Sequence, residues 1–181
     1  MISISENEIE KVKMLLHGIP NGAEKVFSGA LNRALSAYRT ESVKQIGQTY
    51  NISAANIKSN SRIKINKASL RDPEGSVAFA GTVIPLIKFN PRRTKPVSVS
   101  VLKRSGGKKL ERAFFANLKY GLGIFERMTR KRDSSKQLFG PSTAHMAENI
   151  DVHYNAENKA MSVLENRIEH EISRLLNGYG I

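Results

Sequence analysis

The 181-residue chain has no cysteine, no tryptophan and only six prolines. Without thiols there can be no disulfide, no thiol nucleophile and no cysteine-ligated zinc, and the composition suits assembly in a reducing cytoplasm. No stretch approaches the roughly 18–20 apolar residues that a membrane-crossing helix requires. The opening Met1-Ile-Ser-Ile-Ser-Glu-Asn-Glu8 places acids where a secretory leader would place Lys or Arg before an apolar run, so no leader is expected. Aromatics are sparse at 7% while hydrophobic residues reach 40%, which gives one globular domain with a modest core for its length.

Acids are also scarce where the chain is most basic. From Lys58 to Lys136 there are 20 Lys or Arg against five acids, a net of +15, whereas the remainder carries nine basic and eleven acidic residues. So few carboxylates argue against a two-metal nuclease, which needs several of them to converge. Charge at this density attracts a phosphate backbone through counterion release, or docks on an acidic neighbour in an assembly. The four histidines, His17, His145, His153 and His170, lack the spacing of a metal site. Ser105-Gly-Gly and Gly121-Leu-Gly123 lack the strand and helix context of a phosphate-binding loop, and no nucleophile elbow or zinc-protease motif occurs. No enzyme activity, metal or cofactor is expected.

The hydrophobic period divides the chain into helices, strands and helices. Ile9, Val12, Leu16 and Ile19 mark a short first helix, ended by Gly18 and Pro20. A long amphipathic helix is predicted from Ala23 to Tyr50, with Leu31, Leu35 and Tyr38 on its apolar stripe. Ser53 caps a further turn through Ile57. After Arg62 the period becomes 2, and Arg62–Val83 reads as an antiparallel hairpin across Asp72-Pro-Glu-Gly75. Pro85 demotes Ile84–Phe89 to an edge strand or crossover. Further strands are expected at Val97–Val101, Ala113–Leu118 and Gly123–Met128. Ser105–Lys109 reads as a loop, and Met128–Lys136 as a mobile basic linker. Pro141 and Ser142 open a short helix, and Leu164, Ile168, Ile172 and Leu175 define a final helix over Asn155–Leu176. The fold class is α+β, with a long N-terminal and a C-terminal helix packed on a small antiparallel sheet. The segments are a helical arm (1–60), a sheet (61–128), and a linker with C-terminal helices (129–181).

The basic residues fall in three loops, and these are the candidate contacts for DNA or a partner. Arg92, Arg93 and Lys95 lie in the first, and Lys103, Arg104, Lys108, Lys109 and Arg112 in the second. Arg127, Arg130, Lys131 and Arg132 lie in the third. Phe114, Phe115, Tyr120 and Phe125 stand nearby, but Phe at alternating strand positions is more often core than a base-stacking platform. The apolar stripes of the two long helices exceed what one small sheet needs. Leu31, Leu35, Tyr38, Leu164, Ile168, Ile172 and Leu175 are therefore the candidate subunit interface.

Several short motifs occur in a set order. Arg33-Ala-Leu, Arg39-Thr-Glu and Tyr50-Asn-Ile lie in and after the long helix, followed by Ile84-Pro-Leu-Ile with Phe89, Arg93-Thr-Lys and Val97-Ser-Val. Ala113-Phe with Ala116, Gly123-Ile-Phe with Arg127, and Leu138-Phe-Gly-Pro-Ser142 with Met146 complete the series. This order resembles the minor tail protein Z family of long-tailed bacteriophages and prophages, the tail completion proteins. Pro96 stands where the family pattern has Gly, and the turn at Tyr120 lacks the family's His. The resemblance implies a structural virion protein, a neck component at the head-proximal end of the tail. Such a protein joins a homo-oligomeric ring that makes the tail competent for head joining and DNA passage. Its partners would be other tail and neck proteins, including the tail terminator and the head-completion or connector proteins, with non-specific contact to phage DNA. No membrane is involved, and assembly takes place in the host bacterial cytoplasm. The alternative from the residues alone is a stand-alone, sequence-independent nucleic-acid-binding protein.

Overall fold

The change of period at Arg62 is a change of backbone. The structure, a computed structural model, describes residues 6–118, 121–129 and 134–178. Three helices come first: α1 (Glu6–Leu15), α2 (Gly22–Thr49) and α3 (Ala54–Ser59). Ser53 caps α3 by accepting the Asn56 amide at 3.2 Å. Nine strands among the described residues follow before α4 (Thr143–Ala147), which Ser142 caps through the His145 amide at 3.2 Å. The last helix, α5, spans Ile150–Leu176 and so begins before the expected Asn155. Asn149 explains the early start: its side chain accepts the Asp151 amide at 3.1 Å, which satisfies one donor of the first turn. The fold is α+β, and no helix among the described residues is long and apolar enough to cross a membrane.

The chain divides into two compact units, and the arm, sheet and linker segments do not map one to one onto them. The first unit comprises Met1–Ser42, Ile63–Ala78 and His153–Ile181. Its core is helix against helix. Val12, Leu16, Ala23, Val26 and Leu175 form one buried cluster, joined by partly buried Ile168 and Ile172. Ala30, Ala34, Ala160 and Leu164 form another, flanked by Leu31, Tyr38 and Met161. Alanines on both helices leave little side-chain bulk at the seam, so dispersion contacts accumulate there. The hairpin of β1 (Arg62–Asn66) and β2 (Ser76–Ala80) alternates exposed and half-buried residues, as the period-2 pattern predicts. Its loop is fastened to α2 by Asn32, whose amide donates to the Ala68 carbonyl and accepts the Ala68 N–H, both at 2.9 Å.

The second unit comprises Val43–Arg62 and Phe79–Val152. In place of the one small sheet expected, the described residues form four small antiparallel sheets, three of them outside the β1–β2 hairpin. β3 (Val83–Pro85) pairs with β9 (Phe139–Ser142), and Leu86–Phe89 forms a 3-10 turn after Pro85. β4 (Val97–Val99) pairs with β5 (Lys108–Leu110). β6 (Ala113–Leu118), β7 (Gly121–Arg127) and β8 (Ser135–Gln137) form the three-stranded sheet.

Two expectations change here. Lys108 and Lys109 belong to a strand, because Val99 and Ser98 across from them give that segment a ladder partner. The span Met128–Lys136 is not one mobile linker, since Lys136 lies in β8 opposite Glu126 and the Met128 amide donates to the Ser134 carbonyl at 2.9 Å. Pairing β7 satisfies backbone groups that a linker would leave to water. The central part of that expectation, 130–133, lies outside the described residues.

Phe89, with no exposed surface, sits against Gly140, where a Cβ would lie 2.7 Å from Phe89 Cε2 and 3.0 Å from Cζ. A buried ring cannot withdraw from that contact. Gly140→Ala is expected to destabilise by about 1–3 kcal/mol through overpacking, read as a lower denaturation midpoint with an unchanged denaturant slope. A midpoint equal to that of the unaltered chain would show that the ring has room to shift.

Candidate functional site

The second unit gathers basic residues around one concavity of about 590 Å³. Arg92, Lys103 and Lys109 line it, so the first and second basic loops of the sequence meet there. β4 supplies its inner wall. In Val97-Ser-Val-Ser, alternation buries Val97 and Val99 and turns Ser98 and Ser100 to the opposite side, where both are half-buried and line the concavity. β5 brings Lys109 opposite Ser98. Asn90 adopts the left-handed conformation at φ 48°, which turns the chain out of the 3-10 helix so that the Arg92 amide bonds the Ser98 carbonyl at 2.8 Å. Asn90 also donates to Asn51 Oδ1 at 3.4 Å, and both residues line the site.

The far wall is the turn after β4. The Ser100 hydroxyl lies 2.6 Å from both the Leu102 and Ser105 carbonyls, and Ser105 Oγ donates to Leu102 at 3.1 Å, so these two side chains shape the loop. Lys103 is partly committed as well. Its Nζ donates to the Gly47 carbonyl at 2.6 Å and its amide to the Thr49 carbonyl at 2.9 Å. The last turn of α2 has no basic residue of its own, and Lys103 supplies the cation that its terminal carbonyls favour. Two N–H groups of that ammonium remain for a ligand.

The other candidate contacts disperse. Arg93 lies over the Phe115 ring at 5.4 Å and Arg127 over the Phe114 ring at 5.5 Å. Each pair contributes about 0.5–1 kcal/mol at an exposed site, and one ring face is thereby covered. Phe125 is buried, with Phe114 packed on it at a ring distance of 6.3 Å. Lys95, Arg104, Lys108 and Arg112 are exposed and line no part of the concavity. Arg130, Lys131, Arg132 and Tyr120 lie outside the described residues.

The candidate interface residues are mostly used within the first unit. Leu35, Leu164 and Leu175 are buried, while Leu31, Tyr38, Ile168 and Ile172 are half-buried. Leu164, Ile168 and Ile172 also line a groove of about 410 Å³ whose other wall is α1, with exposed Leu15 at its side and Glu8, Glu165 and Glu169 around it. Tyr38 is engaged too: its hydroxyl lies 2.7 Å from His153 Nδ1, and the rings meet edge to face at 6.0 Å. Burial holds the Tyr38 hydroxyl above its ordinary pKa, with a hydrogen bond from Ser42 pulling the other way, so the phenol keeps its proton at neutral pH and the His153 tautomer sets the direction of the bond. His145 pairs with Glu148 at 3.9 Å and His153 with Glu157 at 3.6 Å, and no group of three or more metal-ligating residues occurs among the described residues.

Sequence reasoning missed the neutral lining, Ser98, Ser100, Ser105, Asn51 and Asn90. The alternation of Val97–Val101 carried the signal for the first two, since it assigns both serines to one face. Gly107 is the close approach that lets the loop reach them: a Cβ there would lie 2.5 Å from Ser98 Oγ. Gly107→Ala is expected to destabilise the unit by about 1–2 kcal/mol, and Ser98→Ala in the same chain should restore most of that deficit, a coupling within the usual range for touching residues. Additive effects in thermal denaturation would mean that Ser98 swings clear unaided.

Compared with family models, curated proteins and solved structures, the chain matches none.

Proposed function

We propose that this chain is a structural protein of a bacteriophage-type virion, a tail completion or neck component at the head-proximal end of a long tail. The observation that carries the reading is where the motifs of the resemblance lie. Ile84-Pro-Leu-Ile and Leu138-Phe-Gly-Pro-Ser142 are far apart in sequence, yet they form the β3–β9 ladder, with Ile84 opposite Gly140 and Pro85 opposite Phe139. A third motif, Gly123-Ile-Phe, joins them at Leu138. The Leu138 amide bonds the Ile124 carbonyl at 2.8 Å, and the Leu138 carbonyl takes the Leu86 amide at 3.0 Å. Phe89, Ile84, Ile124 and Met146 are all fully buried. Motifs that are weak one by one thus belong to one packed centre, which supports reading them together.

In this role the chain assembles as a ring with copies of itself and meets the tail terminator and the head-completion or connector proteins. The groove between α1 and α5 is the apolar surface available for such a contact. Leu164 is the wrong residue with which to test it, because a buried leucine replaced by Asp breaks the core whether or not a partner exists. Leu15, 58% exposed, tests the contact without that confusion. The concave basic site favours the second reading, a stand-alone nucleic-acid-binding protein that needs no particle.

Particles separate the two. In cells that assemble them, a tagged chain should co-purify with tails and label their head-proximal end. Loss of the chain should leave finished tails and filled heads unjoined. Leu15→Asp should retain the native stability to within about 0.5 kcal/mol and lose most of its incorporation. A chain recovered only free of particles, with head–tail joining intact in its absence, would overturn the reading.

A further inference from the structure

We propose that the concavity bounded by β4, β5 and the loop 100–107 seats the phosphodiester backbone of a nucleic acid, without regard to base sequence. Arg92, Lys103 and Lys109 line it, and none of the three is ion-paired among the described residues. Among the described residues, no carboxylate and no apolar or aromatic side chain lines it. Like charges gathered around one hollow repel one another until an anion enters.

The neutral lining narrows the anion to phosphate on a polymer. Ser98, half-buried, is a hydroxyl without a hydrogen-bond partner for its Oγ among the described residues. A hydroxyl beside a guanidinium and two ammonium groups is the donor set that phosphate oxygens take in backbone contacts. An acidic protein segment would bring neighbouring side chains that anchor in apolar pockets, and no apolar residue lines this hollow among the described residues. A base would need an aromatic platform, and none among the described residues lines the site. Size points the same way. A water molecule takes about 30 Å³, so a free phosphate, a few times larger, would leave most of the hollow of about 590 Å³ empty. Its rim residues Arg92, Lys103, Gly106, Gly107 and Lys109 are all exposed, so a continuous strand can cross it and lower a phosphate toward Ser98. This inference rests on the hollow alone and not on the tail reading; particle incorporation and duplex binding are measured separately, and either can fail without the other.

The test is fluorescence anisotropy of the full chain with a short duplex of mixed sequence, titrated over a series of KCl concentrations. Arg92→Gln combined with Lys109→Gln should reduce the slope of log affinity against log salt by about 2, close to one for each phosphate that is no longer neutralised. Lys64→Gln combined with Lys67→Gln removes the same charge from exposed positions in the first unit and should leave the slope nearly unchanged. Ser98→Ala should weaken binding several-fold with the slope preserved, and permuting the base sequence should change nothing. An equal reduction of slope in the Arg92/Lys109 and Lys64/Lys67 variants would overturn the site in favour of diffuse surface charge. Polyglutamate binding that falls as far as duplex binding in the Arg92/Lys109 variant would assign the hollow to an acidic protein. Inorganic phosphate or a mononucleotide bound through the same residues, with duplex binding unaffected by their replacement, would assign it to a free phosphate compound. Each of these outcomes overturns the proposal.

Discussion

The second unit depends on one tight contact, the Phe89 ring lying on the bare backbone of Gly140. That contact holds the 3-10 turn against β9, and the chain then leaves the turn through Asn90 in the left-handed conformation. A residue with any Cβ at 140 would displace the ring and with it the exit direction of the loop. Burying a phenylalanine fully contributes about 1.5–3 kcal/mol, a large share of the few kcal/mol by which a domain is stable. The loop itself has little to hold it: the Arg92 amide bonds the Ser98 carbonyl, and Thr94 Oγ1 donates to the Pro96 carbonyl at 2.9 Å. Arg92 is placed by what precedes it in the chain, a buried aromatic and a residue that accepts positive φ.

The fold must also carry a net of +15 between Lys58 and Lys136 without driving itself apart. It does so piecemeal. Arg93 and Arg127 lie on phenylalanine faces, Lys103 meets the carboxyl end of α2, and Lys88 donates to Asn60 Oδ1 at 3.1 Å. Lys136 stands opposite Glu126 across the ladder. The two arginines use the planar guanidinium as packing, while Lys103 and Lys88 give their ammonium groups oxygen acceptors, and both arrangements lower self-repulsion at small desolvation cost. Arg92 and Lys109 are different. They face a hollow with no carboxylate in its described lining, so the field there stays uncompensated, and that is where an external anion gains most.

Much of this was legible in the sequence because it rests on local rules. The hairpin over Arg62–Val83, the caps at Ser53 and Ser142 and the β6–β7 pair follow from alternation, turn chemistry and capping preferences. What was not legible depends on partners distant in sequence. Lys108 and Lys109 read as loop because two lysines after Gly-Gly have no strand signature of their own; β4 opposite them makes the strand. Ser135 and Lys136 read as linker for the same reason, with β7 supplying the ladder. The hollow itself joins residues from Asn51 to Lys109, and nothing in a one-dimensional pattern says that Arg92, Lys103 and Lys109 will share it while Arg93 and Arg127 are drawn onto phenylalanine rings.

The apolar stripes show the same limit from the other side. Periodicity establishes that Leu164, Ile168, Ile172 and Leu175 share a face, but it is silent on whether that face meets the chain's own helices or another molecule. Ala30, Ala34 and Ala160 decide the matter for most of it. Three fully or nearly fully buried alanines at one seam leave room for the helices to approach, and Leu164 is then enclosed at 2% exposure. Alanine is read from sequence as a neutral helix former, so the residues that absorb the stripe are the ones its periodicity weighs least. The apolar surface left open lies instead toward α1, where Leu15 is exposed beside a groove ringed by Glu8, Glu165 and Glu169. A contact made there would meet those three carboxylates together with the Lys11 ammonium, which also lines the groove.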